Sequence, residues 1–364
     1  TTRSTLRAER GPTVSHAATG KAKAWLNSTV AAWDTVGPRS ARRVERVVAR
    51  AHNGNLLEVR PRFVAICAGT LESTRLALEL CDPSHESAVL GRYLHDHLSV
   101  RIAQLEITDR AGFAQLFSPR FDGSTMRSPR LELSSEAARV AGLPAMYAHF
   151  VAEAPEDSGF ALVRDTLRSL QRRQSAAAFR CMTKLPWAVP GIAEIVYWRI
   201  VKKRLVFPAD ASIYIHVDFE QPPDADNRVH VGKPTRPGER GRLHVDWDLA
   251  CEPSRVVTVM TEHIRRLWQT NRLDRFATPR FVDAATVAGA WPTNLYDIYH
   301  PAGTTRMGTS AQNGAVDSRL LLYGTDNAYV LSSSVFPSMG SANPTYTLMA
   351  MALRLASFLA KAGH

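Results

Sequence analysis

The short apolar run from Arg62 to Ala68 stops at Gly69, and from Leu71 to Leu80 apolar residues recur at helical spacing. Runs of this kind are buried strands, and strand, glycine turn, helix is the unit from which doubly wound α/β sheets are built. Just upstream, Arg43 to Arg50 alternates like a half-buried strand, Asn53-Gly54 is a hairpin turn pair, and Leu56 to Arg60 returns. The first forty residues are rich in Ser, Thr, Ala and Arg; within them Lys21 to Trp33 reads as one helix.

Beyond Val100 the texture changes. Strand-like pieces (Val100 to Ile107, Ala211 to Phe219, Arg228 to Val231, Leu243 to Trp247) sit among helical ones (Ala161 to Ser175, Pro253 to Leu273), as far as about Thr286. The 364 residues suffice for one large domain or two ordinary ones, and the 45% apolar content supports a sizeable core. The apolar stretch from Tyr346 to Leu359 is shorter than the about twenty residues of a membrane span and holds Arg354, so no transmembrane segment is expected. A net charge of +11 raises the question of a polyanionic partner. The basic residues are scattered, with small clusters such as Arg42-Arg43, Arg172-Arg173 and Lys202-Lys203-Arg204, so a solvated surface is expected and no nucleic acid. Trp187, Tyr197, Trp198 and Phe207 lie in an aromatic, basic stretch. Core packing accounts for most of them, with a substrate lid or a membrane-facing loop as the alternatives. Cys67, Cys81, Cys181 and Cys251 lie far apart, which argues for reduced thiols in an intracellular, cytoplasmic protein and against a disulfide or metal framework.

Two stretches near the C-terminus carry the chemistry. His300-Pro301-Ala302-Gly303-Thr304-Thr305-Arg306-Met307-Gly308 sets one titratable imidazole beside small, glycine-containing backbone that can approach a planar ligand closely. Ser334-Val335-Phe336-Pro337 is followed by Asn343-Pro344-Thr345, where Asn343 can cap a helix, Pro344 suits its first position, and the helix start offers N–H groups to an anion. A base, an amide and an anion-binding helix start suit chemistry beside a phosphate-bearing cofactor.

These stretches, with Val316-Asp317 and Asn327-Ala328-Tyr329-Val330 between them in the same order, resemble the C-terminal signature of the glucose–methanol–choline (GMC) family of flavin-dependent oxidoreductases. Ala68 to Leu76 is similar to that family's second signature, although Thr74 stands where Pro is common. Gly91-Arg92-Tyr93-Leu94-His95-Asp96-His97 resembles its crossover into the substrate domain, so a structural role is expected there in place of a metal site. Glu220-Gln221-Pro222-Pro223 to Asn227-Arg228-Val229 resembles a strand pair of that domain.

The resemblance implies a mixed fold, α/β and α+β overall. A partial, Rossmann-like FAD-binding domain would be formed by residues 1–99 and 289–364, and a substrate-binding domain with an antiparallel sheet and helices by 100–288. It implies FAD-dependent oxidation of a CH–OH group by an oxidase or a dehydrogenase, and pairing His with Asn most resembles the sugar-oxidising branch. His300 would take the hydroxyl proton as hydride leaves for flavin N5, and Asn343 would orient the substrate oxygen. Ala302, Gly303, Ser332, Ser333, Asn343, Pro344 and Thr345 would line the cofactor, with Ser332 where the family often has Asp. The family's Gly-x-Gly-x-x-Gly is absent from these residues. The chain therefore reads as the C-terminal two-thirds of such an enzyme, the remainder lying upstream or on a second polypeptide. A non-catalytic partner subunit and a lyase built on the same fold are the alternatives.

Overall fold

The structure, a computed structural model, describes residues 23–81, 88–123, 125–155, 158–171, 189–205, 207–233, 240–249, 252–283 and 295–362. The expected domain boundary at 288, Trp187, Cys181, Cys251 and the Arg172-Arg173 cluster lie outside these residues.

The larger of two hydrophobic cores backs a six-stranded antiparallel sheet. Its path runs Ala277–Phe281, His97–Ile107, Ser212–Glu220, Met146–Glu153, Leu131–Glu132, and Leu295–Asp297 pairs beside Ala277–Phe281 on His97–Ile107. Alternation in Ser212–Glu220 decides which face is buried: Ile213, Ile215, Val217 and Phe219 enter the core. They meet Val256, Val257, Met260, Ile264 and Trp268, the apolar stripe of helix Pro253–Thr270. Burying each such side chain stabilises the fold by roughly 1.5–3 kcal/mol. The opposite face carries Tyr214, His216, Asp218 and Glu220, and it becomes a wall of the site.

The second core draws on both ends of the chain. Val64–Ile66 pairs in parallel with Ala328–Val330, and helices Gly69–Leu80 and Thr345–Ala362 pack there through Ala77, Leu80, Met351 and Leu355. Asn327 stitches the layer together. Its Oδ1 accepts from Val44 N–H at 2.9 Å, and its Nδ2 donates to the carbonyls of Val44 (3.0 Å) and Arg62 (3.1 Å). A fully buried amide is tolerated because its hydrogen-bonding groups are satisfied. The hairpin expected around Asn53-Gly54 is present, Ala41–Ala51 against Leu56–Val59.

Three expectations need correction. The helix expected over Lys21 to Trp33 is instead, from residue 28 on, strand Ser28–Val36, because its β-branched Thr29, Val30, Thr35 and Val36 pair antiparallel with Ala41–Ala51. Helix Pro253–Thr270 stops short of Leu273, where Arg272 turns left-handed (φ 50°) into a short 3₁₀ turn. Glu220 and Arg228 do not lie on paired strands: Arg228–Val231 pairs with Leu243–Asp246. The helix expected over Ala161 to Ser175 spans Gly159–Gln171 among the described residues. No helix among those residues is long and apolar enough to cross a membrane.

Candidate active site

Strand Leu295–Asp297 delivers the His300 loop to the end of strand His97–Ile107, where Ile298 N–H donates to the His97 carbonyl at 3.1 Å. Asp96 pins the crossing. Its Oδ1 accepts from the N–H groups of His97 (2.6 Å) and His300 (2.8 Å). Burial pushes the Asp96 carboxyl up to about 7, although both N–H bonds pull the other way.

The ring of His300 lies between two partners. Asn343 Nδ2 is 3.4 Å from its Nε2. The amide orientation follows from the other end, where Asn343 Oδ1 accepts from Thr345 N–H (3.1 Å) and Thr345 Oγ1 (2.8 Å) and so turns the NH₂ toward His300. On the opposite side His300 Nδ1 is 3.5 Å from His97 Nδ1, with the rings edge to face at 87°. His97 Nε2 lies 2.7 Å from the carbonyl of Gly340, which can only accept, so that nitrogen carries the hydrogen. In a neutral His97, Nδ1 is then an acceptor, and the hydrogen between the rings belongs to His300 Nδ1. This chain of bonds leaves the lone pair on His300 Nε2, beside Asn343. Burial first, and His97 second, hold the His300 pKa below its ordinary value, with Asp218 opposing, so the ring stays neutral and basic near pH 7.

Glu220 positions the other strand of the site. Its carboxylate accepts from Met339 N–H (2.6 Å), Gly340 N–H (3.2 Å) and Ser338 Oγ (3.0 Å), fixing the loop that carries both the Gly340 carbonyl and Asn343. Removing this buried anchor leaves three donors unmet. Glu220→Ala is therefore expected to lower unfolding free energy by about 3 kcal/mol and to loosen the loop that sets Asn343 beside His300. Denaturant titration measures the first effect; a variant as stable as the parent would show that the loop holds itself.

Beyond Glu220 the polar face of the sheet continues. Asp218 accepts from Tyr147 OH (2.7 Å) and pairs with His149 Nε2 (3.2 Å), while Tyr296 OH meets His216 Nδ1 at 2.7 Å. Burial disfavours the charged Asp218, but hydrogen bonds from His149, Ser99 and Tyr147 and the neighbouring His149 bring it down to about 2. Burial, helped by His149 and Arg101, pushes His216 down to about 4, so it is neutral at pH 7. Its buried Nε2 has no hydrogen-bond partner among the described residues. On the far side of Pro301 is a cavity of about 410 Å³ lined by Leu71, Leu94, His95, Trp247 and Tyr299 among others. His95 there is fully buried, and its Nε2 also has no hydrogen-bond partner among the described residues.

The cofactor-lining residues expected from the sequence cluster around this loop, several of them with their polar groups already engaged. Ala302 exchanges both backbone bonds with His95. Gly303, at φ 91°, is glycine for an internal reason: a Cβ there would lie 2.1 Å from the Tyr93 carbonyl and 2.5 Å from His95 Nδ1. Ser332 and Ser334 bond each other, and Ser333 Oγ bonds the Pro301 carbonyl together with Thr70. Pro344 is buried, and the Thr345 N–H is capped by Asn343. The cavity beside Pro301 is apolar enough for a flat heteroaromatic ring such as a flavin, and the His95 Nε2 on its wall faces Glu220 Oε1 at 3.7 Å. No Gly-x-Gly-x-x-Gly motif of a pyrophosphate cradle occurs in the sequence.

Reading the sequence missed Glu220 as an anchor and His97 as the neighbour of His300. The His95-Asp96-His97 run was a signal for the second; the contact itself spans more than two hundred residues and depends on the fold.

An imidazole and an amide from two separate loops thus meet beside the antiparallel sheet. Residues 223–352 match the family model described as GMC oxidoreductase, and this part of the chain is a GMC oxidoreductase C-terminal segment. Pyranose 2-oxidase of Tricholoma matsutake is 25% identical over 171 residues, 43% of this chain and 29% of that protein. A glucose oxidase-like protein, fsoC, of Humicola fuscoatra is 37% identical over 78 residues, 20% of this chain and 13% of that protein. The crystal structure of pyridoxine 4-oxidase from Mesorbium loti shares the fold, with TM-score 0.52 and 18% identity, over 91% of this chain and 56% of that one. The chain thus spans less than a third of the two curated relatives and about half of the structural neighbour.

Proposed function

We propose that this chain supplies the proton-abstracting part of an FAD-dependent oxidation of a CH–OH group, with a sugar or glycoside as substrate. The observation that carries the reading is the bond chain Gly340–His97–His300–Asn343, which presents the basic Nε2 of His300 beside an amide donor. FAD, when bound, supplies the hydride acceptor. Ala302, Gly303, Ser332, Ser333, Asn343, Pro344 and Thr345 are the residues proposed to line it, with the Gly-rich cradle contributed by further sequence or by a second polypeptide. His300 Nε2 takes the hydroxyl proton, and Asn343 Nδ2–H donates to the substrate oxygen and holds it in line.

The sugar reading rests on the pyranose 2-oxidase relative and on the polar sheet face, where His149, Asp218, Tyr147, His216 and Tyr296 form a hydrogen-bonded layer that leaves His216 Nε2 without a hydrogen-bond partner among the described residues. Asn343 offers only its Nδ2–H donors, its oxygen being committed to Thr345. Asn343→Ala is accordingly expected to slow flavin reduction by about 10²-fold, the low end for a positioned group, measured by stopped-flow absorbance.

The test of function is anaerobic bleaching of the flavin in the natural protein by a panel of pyranoses, aliphatic alcohols and aromatic alcohols. Fastest bleaching by pyranoses supports the proposal. Bleaching by aromatic alcohols alone would remove the sugar assignment and keep the oxidation. A photoreducible bound flavin that no alcohol bleaches would sink both. Intact mass of the purified protein, read beside its visible spectrum, distinguishes one longer chain from two polypeptides.

A further inference from the structure

Helix Val189–Ile200 seats Trp198 against the large core, yet another of its faces is apolar and uncovered. Ala193, Val196, Tyr197, Ile200 and Val201 recur at three- and four-residue spacing and are exposed, Ile200 at 60% and Val201 at 62%. The stripe runs on to hairpin Arg120–Asp122/Thr125–Arg127, which joins the helix end through Phe121 N–H to the Lys203 carbonyl at 2.8 Å. Phe121 lies under the Arg199 guanidinium at 3.8 Å, and its cross-strand partner Met126 is exposed. Arg199, Lys202, Lys203 and Arg120 edge this patch, and none of them forms an ion pair with a described residue. The acid within the hairpin, Asp122, is paired with Arg127 at 3.0 Å, and the helix itself has one acid, Glu194.

We propose that this face docks peripherally on an anionic lipid bilayer. Apolar side chains edged by uncompensated cations match the boundary between acyl chains and acidic headgroups, where the former enter and the latter stay at the surface. Two copies of this face would oppose their cationic edges, in a chain already at +11. A nucleic acid would satisfy the cations and leave the apolar stripe uncovered. The docking is reversible and independent of the redox chemistry.

The purified protein is sedimented with vesicles of phosphatidylcholine alone and of phosphatidylcholine with an equimolar share of phosphatidylglycerol. Retention on the anionic vesicles only, falling as salt rises, is the expected result. Ile200→Glu, and Lys202→Glu with Lys203→Glu, are each expected to lower the partition coefficient roughly tenfold. All three positions are exposed, and an unchanged thermal melt shows that the variants are folded. Equal or absent retention on the two vesicles would overturn the proposal, as would retention unaffected by either variant. A dimer in solution that Ile200→Glu dissociates would overturn it in favour of a subunit contact, and duplex DNA binding that survives Ile200→Glu would overturn it in favour of a polyanion site.

Discussion

Replacing His300 with alanine is expected to slow reduction of the bound flavin by substrate about 10⁴-fold, with the flavin still bound and its absorbance unchanged. In the proposed role the imidazole is the base, with Nδ1–H directed at His97 and Nε2 beside Asn343. Water in its place accepts a proton poorly at neutral pH, whereas the residues proposed to line the cofactor are left in place. The pH dependence gives a second reading. A base works when neutral, so the rate falls as pH drops through its pKa. Burial and His97 set that pKa below the ordinary imidazole value of about 6.5, so the acid limb of the parent lies below that point and the alanine variant lacks it. Near-normal reduction in the His300→Ala protein, or an unchanged acid limb, would remove His300 from the chemistry.

Where local pattern decides structure, the sequence was readable. The strand ending at Gly69, the hairpin at Asn53-Gly54 and the alternating strand Ser212–Glu220 follow from periodicity and turn chemistry, and the structure has them all. The His300 and Asn343 motifs were legible because each is contiguous, and the fold brings the two side chains to 3.4 Å across forty-three residues. What remained illegible depends on contacts between distant segments. Lys21 to Trp33 looked helical because its alanines favour helix locally, and from Ser28 on pairing with Ala41–Ala51 decided the matter. Gly303 looked like room for a ligand, and its missing Cβ in fact makes room for Tyr93 and His95. Glu220 gave no sign of its role, because the three donors it holds lie more than a hundred residues onward.

His97→Ala is the second large expected effect, a loss of about 10³-fold in flavin reduction, although His97 acts through His300 as a positioning residue. With His97 gone, nothing holds the hydrogen on His300 Nδ1, and the ring can place it on Nε2, where it cannot serve as a base. Loss of the tautomer-holding partner of a catalytic histidine is known to cost as much as about 10⁴-fold in serine proteases. The cavity left by the ring also admits water, which weakens the burial that is the main cause holding the His300 pKa down. This raises that pKa, so the acid limb of the rate profile should move to higher pH. A merely structural role would lower the melting temperature without moving this limb. His97→Asn supplies an oxygen near the position of the original Nδ1 and can accept from His300 Nδ1–H, so it should recover part of the rate and return the limb toward the parent. If His97→Ala keeps the parent rate and limb, the bond chain through Gly340 is ornamental, and the tautomer of His300 must be set by the substrate itself.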